Sequence, residues 1–242
     1  MKITELQKDL AATFRWAARL NMNEAVANHF SACVPGSSTD FYVNKAGIHF
    51  SRIKASDLIL VTKDNIEDLK TKPDVVDATA ISIHGTIHQK VPHAKCIFHV
   101  HSKYSTALSA LKDATLPPID QNTMRFFNRI SIYNEYGGMG FEDESIKMAS
   151  ALGNKQHMLL ANHGILTTGE TISEGFDALY YFEKSAETYL TALSTNKELN
   201  IVSDEIAEKT AQEWSDYPSD LARAHLDQIR LILDKEEPDY KD

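Results

Sequence analysis

Two histidines at positions i and i+2, His99-Val100-His101, close the apolar run Cys96-Ile97-Phe98. On a strand such a pair points to one face, because side chains alternate, and two imidazoles on one face are half of a metal site. A third histidine, His163 in Ala161-Asn162-His163-Gly164, follows another apolar run far downstream, so only folding can bring it to the first pair. Gly164 permits a tight turn or a close approach of backbone to a ligand. Each histidine alone reads as a hydrogen-bonded strand-end residue. Together they open a second reading beside that one, an open three-ligand metal site in which a cation would stabilise charge building on a substrate oxygen.

These residues need elements to position them. From Ile3 to Met22, Leu6, Leu10, Phe14, Ala17 and Leu20 recur at helical spacing. Phe41-Tyr42-Val43, Ile48-His49-Phe50 and Leu58-Ile59-Leu60-Val61 are β-prone runs between turn residues. A helical pattern runs from Asp74 to Lys90, and Pro92 closes it. The strand Cys96–Val100 follows, with Ser102 as cap of a helix through Leu111. Beyond it come the strand Ile130–Tyr133, a loop at Gly137-Gly138, a helix near Asp143–Leu152 and the strand Met158–Ala161. Thr171-Ile172-Ser173-Glu174 is a capping box opening a helix through about Leu193. Helical stretches at about Asp204–Trp214 and Ser219–Leu233 end the chain. With no repeat, low-complexity tract or linker, residues 1–242 read as one α/β domain, its core at about 9–193 and its C-terminal helices at about 204–235. Asp239-Tyr240-Lys241-Asp242, either native or the start of an epitope tag, is set aside from the fold argument.

The 242 residues are 43% hydrophobic and 24% charged, a globular mix. A net charge of −9 argues against nucleic-acid and acidic-membrane partners and does not forbid a small-molecule substrate, even an anionic one. Cys33 and Cys96 are no disulfide framework. No apolar run approaches the roughly 18 residues of a membrane span, and Met1-Lys2-Ile3-Thr4-Glu5 opens no signal peptide. The chain reads as cytoplasmic.

His99-Val100-His101-Ser102, with the helix-forming stretch after it, resembles the metal-binding segment of class II aldolases. Asn162-His163-Gly164-Ile165-Leu166-Thr167-Thr168-Gly169 resembles the family's later Asn-His-Gly segment. Asn28-His29-Phe30-Ser31-Ala32-Cys33-Val34-Pro35-Gly36 is similar to its early Asn-x-x-Ser loop, in the adducin-like form. The resemblance, from about Asp9 to Leu193, implies a three-layer class II aldolase/adducin-type fold: a mainly antiparallel central sheet flanked by helices, with a helical C-terminal end. It also implies one divalent metal ion per chain on His99, His101 and His163, zinc ahead of manganese or iron. A homotetramer with active sites between subunits is implied as well.

The chain departs from the pattern where sugar-phosphate aldolases place their acid/base glutamate, because Ala80 stands there and cannot move a proton. Ala78 and Thr79 replace two phosphate-binding serines, and Asn44-Lys45-Ala46-Gly47 matches the phosphate loop in part, with Gly47 as its substrate-binding glycine. His84, one helical turn after Ala80, is the candidate replacement acid/base, since an imidazole pKa of about 6.5 suits proton transfer at neutral pH. Packing is its alternative role. Asn28 and Ser31 are candidates to orient substrate, against a turn role in the same loop; His29 and His49 are candidates to line the pocket but read first as loop hydrogen-bonding residues. Arg125 and Arg129 suit a carboxylate but read first as ion-pair partners. Tyr133 and Tyr136 flank the Gly137-Gly138 loop, and Trp214, Tyr217, Arg223 and His225 read as helix packing. The expected function is a metal-dependent lyase cleaving a carbon–carbon bond in a small non-phosphorylated hydroxy-carbonyl or carboxylate. The alternatives are a decarboxylase of the same fold, an iron-dependent oxygenase and a non-catalytic adducin-like interaction domain.

Overall fold

The computed structural model describes residues 3–37, 39–138, 143–217 and 220–242. Among them, seven strands form one sheet: His29–Cys33 (β1), Phe41–Asn44 (β2), Leu58–Val61 (β3), Cys96–Val100 (β4), Ile130–Tyr133 (β5), His157–Leu160 (β6) and Gly164–Gly169 (β7). Their spatial order is β3-β2-β1-β4-β7-β6-β5, and only the β5–β6 pair is parallel. The helices are Glu5–Arg19 (α1), Ile66–Lys70 (α2), Ala78–Lys90 (α3), Lys103–Ser109 (α4), Gln121–Met124 (α5), Asp143–Leu152 (α6), Ile172–Leu193 (α7), Asp204–Ser215 (α8) and Leu221–Glu236 (α9).

Alternation along the strands sorts the side chains into two apolar layers. Phe30 of β1, Phe98 of β4 and Ile165 of β7 pack in one cluster with Phe14 of α1 and Phe176 and Phe182 of α7. The Phe14 and Phe30 rings stack at 4.6 Å. Burying each such ring contributes about 1.5–3 kcal/mol. On the opposite face Ile97, Met158, Leu160 and Leu166 pack with Ile83 and Ile87 of α3 and Met148 and Leu152 of α6. This is helix, sheet, helix in three layers.

The capping box at Thr171 is present: Glu174 N–H donates to Thr171 Oγ1 and Thr171 N–H donates back to the Glu174 carboxylate. Elsewhere local chemistry overrides the sequence pattern. The Asn28–Gly36 segment, read as a loop, contains β1, an interior strand with all five residues buried. Ile48-His49-Phe50 is not a strand, because His49 caps a 3-10 turn at Phe50–Arg52 by accepting from Ser51 N–H. The α3 pattern starts at Ala78 rather than Asp74, with Asp77 capping Thr79 N–H. Ser219, expected to open the last helix, lies outside the described residues; α9 begins at Leu221.

The final residues pack on the body of the fold. Tyr240 is fully buried and donates to Asp234, and Asp9 of α1 accepts from Arg223 and Arg230 of α9. No helix among the described residues is long and apolar enough to cross a membrane.

The antiparallel register gathers the chemistry at one end of the sheet. His29 lies directly across from His99, Val100 across from Ile165, and Leu160 across from Gly164. The other end carries two cavities of about 650 and 610 Å³ and no histidine of the three-histidine set.

Candidate metal centre

His99 sits near the end of β4, His101 just beyond it, and His163 in the turn between β6 and β7. One nitrogen from each lies within 4.8 Å of the others. His99 Nδ1–H donates to the Ile165 carbonyl at 3.0 Å, and His101 Nδ1–H donates to the Glu24 carboxylate at 2.6 Å. Both acceptors lack a proton to give, so in each neutral ring the bare nitrogen is Nε2. Those two bare atoms face each other at 3.1 Å. Two lone pairs at that distance repel unless a cation lies between them. The spacing is close to the roughly 3.3 Å edge of a tetrahedron with metal–nitrogen bonds of about 2.0–2.1 Å. The residues therefore fit a divalent metal, and Glu24 is the outer carboxylate that fixes the His101 ring.

Burial favours the neutral form of His99 and His163. It pushes His99 well below the ordinary histidine value, with His29, His163 and His101 adding to the effect. Burial, aided by His101, lowers His163 to about 4. Neutral rings are the metal-binding form.

Helix α4 brackets the site. At its start the buried Glu183 carboxylate accepts from Ser102 Oγ, Tyr104 N–H and Ser105 N–H. Glu183, rather than the expected Ser102 side chain, is thus the cap of the segment after His101. At its other end the Ser109 carbonyl accepts from Asn162 N–H, and Ser109 Oγ lies 3.3 Å from His163 N. A Cβ at Gly164 would collide with the Val100 carbonyl and stand 3.2 Å from the His101 ring, so glycine is what lets β7 close on the ligand segment. Two asparagines in left-handed conformation, Asn28 (φ 76°) and Asn162 (φ 56°), turn the chain just before His29 and His163.

The structure separates the other expected site residues. His84 is fully buried on α3, and His29 stands between it and His99, its ring 4.6 Å from His84 and 5.1 Å from His99. A hydrogen-bonded series runs inward from His29: Nδ1 to His84 Nε2 at 2.7 Å, His84 Nδ1 to Ser31 Oγ at 2.5 Å, Ser31 Oγ to His88 Nε2 at 2.8 Å, and His88 Nδ1 to the Ala94 carbonyl at 2.7 Å. Burial lowers His29 and His88 to about 4 and His84 well below its ordinary value. Ser31 is fully buried in this series, so its hydroxyl is directed into the protein. Asn28 accepts from Glu24 N–H through Oδ1, and its buried Nδ2 has no partner among the described residues. Gly47 has φ 74° with open space where a Cβ would stand.

Tyr136 packs beside His163, ring to ring at 6.2 Å. Arg125 pairs with Asp177 and lies over Tyr181 and Trp214, and Arg129 pairs with Glu208, so both arginines are ion-pair partners. His225 bonds Asp177, and Trp214 Nε1–H donates to the Gln121 carbonyl. The residues that sequence reasoning under-weighted are His29 and Glu24. A signal existed for the first, since the dipeptide Asn-His occurs at 28–29 as well as at 162–163. For Glu24 there was none.

Residues 8–190 match the family Class II Aldolase and Adducin N-terminal domain. A candidate aldolase class 2 protein of Caulobacter vibrioides is 30% identical over 202 residues, 83% of this chain and 77% of its own. The decarboxylase NovR of Streptomyces niveus is 27% identical over 88% of this chain and 73% of its own. Among solved structures, an aldolase II superfamily protein from Pseudomonas syringae superposes with a TM-score of 0.86 at 28% identity, over 98% of this chain and 95% of that one. The L-fuculose 1-phosphate aldolase of Glaciozyma antarctica does so with a TM-score of 0.82 at 27% identity, over 98% and 92%.

Proposed function

The chain belongs to the class II aldolase and adducin family, and on that premise we propose that it is a divalent-metal-dependent lyase. Its substrate is a small, non-phosphorylated hydroxy-carbonyl or carboxylate, and the bond it breaks is carbon–carbon. The observation that carries this reading is the pair of bare Nε2 atoms on His99 and His101 facing each other at 3.1 Å, with His163 beside them. When bound there, a divalent cation supplies Lewis-acid stabilisation of charge developing on a substrate oxygen. His99, His101 and His163 would hold it, and Glu24 and the Ile165 carbonyl keep the first two rings in the ligating tautomer. Asn28 offers a donor through its unpartnered Nδ2, and Tyr136 walls the His163 side. Zinc is the metal we favour, and a homotetramer is part of the same proposal.

The phosphate-free substrate class has its own support. The Ala78 side chain has no donor, and the Thr79 hydroxyl is committed to the Asp77 carboxylate at 2.6 Å, an anion that repels phosphate. Decarboxylation is the second reading, favoured because Ala80 supplies no base and loss of carbon dioxide needs none to begin.

Elemental analysis of protein purified without a histidine tag tests the centre. We expect about one metal per chain, lost when His99, His101 and His163 are all replaced by alanine. Equal metal in both proteins, or none in either after zinc, manganese and iron are supplied, overturns the reading. Aldehyde release against carbon dioxide release from a panel of hydroxy-carbonyl acids then separates the two lyase chemistries.

A further inference from the structure

The buried histidine series has a direction. The Ala94 carbonyl can only accept, so His88 Nδ1 carries a proton and donates it. The neutral ring then has a bare Nε2, which accepts the single hydroxyl proton of Ser31. With that proton committed, Ser31 Oγ accepts from His84 Nδ1–H. His84 Nε2 is therefore bare and accepts from His29 Nδ1–H. One nitrogen is left over. His29 Nε2 is a lone pair with no partner among the described residues, on a ring directly across the sheet from His99.

Resting on the lyase reading above, we propose that His29, rather than His84, is the catalytic residue that takes the place of the carboxylate missing at Ala80. Its Nε2 receives the proton of a substrate hydroxyl, and Ser31, His84 and His88 are positioning residues that keep that nitrogen bare. The step balances within the substrate. As the O–H bond breaks, its electron pair forms the carbonyl of one fragment, and the pair of the carbon–carbon bond passes to the other fragment. The proton on His29 Nε2 then returns to that second fragment's carbon. Nothing is oxidised or reduced. Because the series ends on a carbonyl, which takes no proton, the transferred proton is retained for that return.

Nitrogen-15 histidine NMR on the wild-type protein tests the tautomers without any variant. We expect His29, His84 and His88 each to carry Nδ1–H with an unprotonated Nε2; a His29 Nε2–H resonance overturns the proposal. In Ser31→Ala, which removes the central acceptor, the single His29 tautomer is expected to give way to a mixture, and an unchanged His29 tautomer overturns the positioning roles. Contact with substrate is tested on zinc-loaded protein with two probes, acetohydroxamate and glycolohydroxamate, which differ by one hydroxyl. The wild type is expected to prefer glycolohydroxamate by about 5- to 10-fold, the worth of one hydrogen bond. His29→Asn, at unchanged zinc content, is expected to bind the two alike. A preference that survives in His29→Asn, or that the wild type lacks, overturns this proposal alone. Zinc that fails to bind the wild type overturns the lyase reading and the proposal with it.

Discussion

Six histidines in and beside the sheet form two groups of three, and the groups are built on opposite rules. His99, His101 and His163 converge: the first two donate outward, to Ile165 and Glu24, and leave bare nitrogens facing each other. His29, His84 and His88 run in series through Ser31, each donor meeting an acceptor. The convergent group is incomplete as a set of hydrogen bonds and becomes satisfied only around a cation. The serial group is satisfied at every nitrogen but His29 Nε2 and keeps its order without a cation. A histidine cluster is therefore read as a metal site by where its protons are, not by how many rings it contains.

Crossed substitutions break this comparison most sharply. His163→Ala is expected to abolish stoichiometric metal binding while leaving the metal-free protein's urea midpoint nearly unchanged. His84→Ala is expected to do the reverse, keeping about one metal per chain. It leaves the buried His29 Nδ1–H without its acceptor and takes from Ser31 Oγ the proton it accepts, and stability falls by about 3 kcal/mol or more. Elemental analysis and urea unfolding on both variants decide it, and the same response from both would erase the distinction.

Acid sharpens it next. His29 and His88 are held at about 4, chiefly by burial, against about 6.5 in the unfolded chain. Between those values the unfolded chain binds protons that the folded one does not, so stability is full above about pH 6.5 and falls as the pH drops toward 4. From pH 7 to pH 5 each of these histidines is expected to remove about 2 kcal/mol. Urea midpoints of the metal-free protein at the two pH values measure this, and a flat response would mean that the series is already charged. The smallest expected effect is at the rim of the convergent group. Glu24→Gln removes the carboxylate behind His101, and zinc affinity measured against a competing chelator should weaken by about 10- to 100-fold.

The convergent group was largely legible in the sequence and the serial one was not. His99 and His101 announce themselves by i, i+2 spacing at the end of an apolar run, and His163 by an Asn-His-Gly turn after another. The three-layer fold was legible too, from helical and strand-like periodicities and the resemblance they accompany. His29 escaped because its meaning lies in register: β1 reads as a loop segment, and only pairing sets His29 across from His99. Ser31 looked like a substrate contact because nothing local shows that two α3 histidines enclose it. Strand β7 also went unassigned, since Gly164 and Gly169 at its ends suggest turns, whereas the close approach of Gly164 to Val100 and His101 needs glycine within a sheet.

The Ala94 carbonyl at the end of the series has a consequence for how this site tolerates sequence drift. The group that sets the order of the protons is main chain, so replacing the side chain at 94 leaves its acceptor in place. The vulnerable element is the shape of the turn after α3, where Pro92 closes the helix and Ala94 N–H donates to the Val91 carbonyl. A change that swings the Ala94 carbonyl away from His88 would free every proton behind it to reverse, and the fault would surface at His29, on the far side of three side chains. Inheritance of the site's polarity thus rests on a bend in the backbone that carries no chemistry of its own.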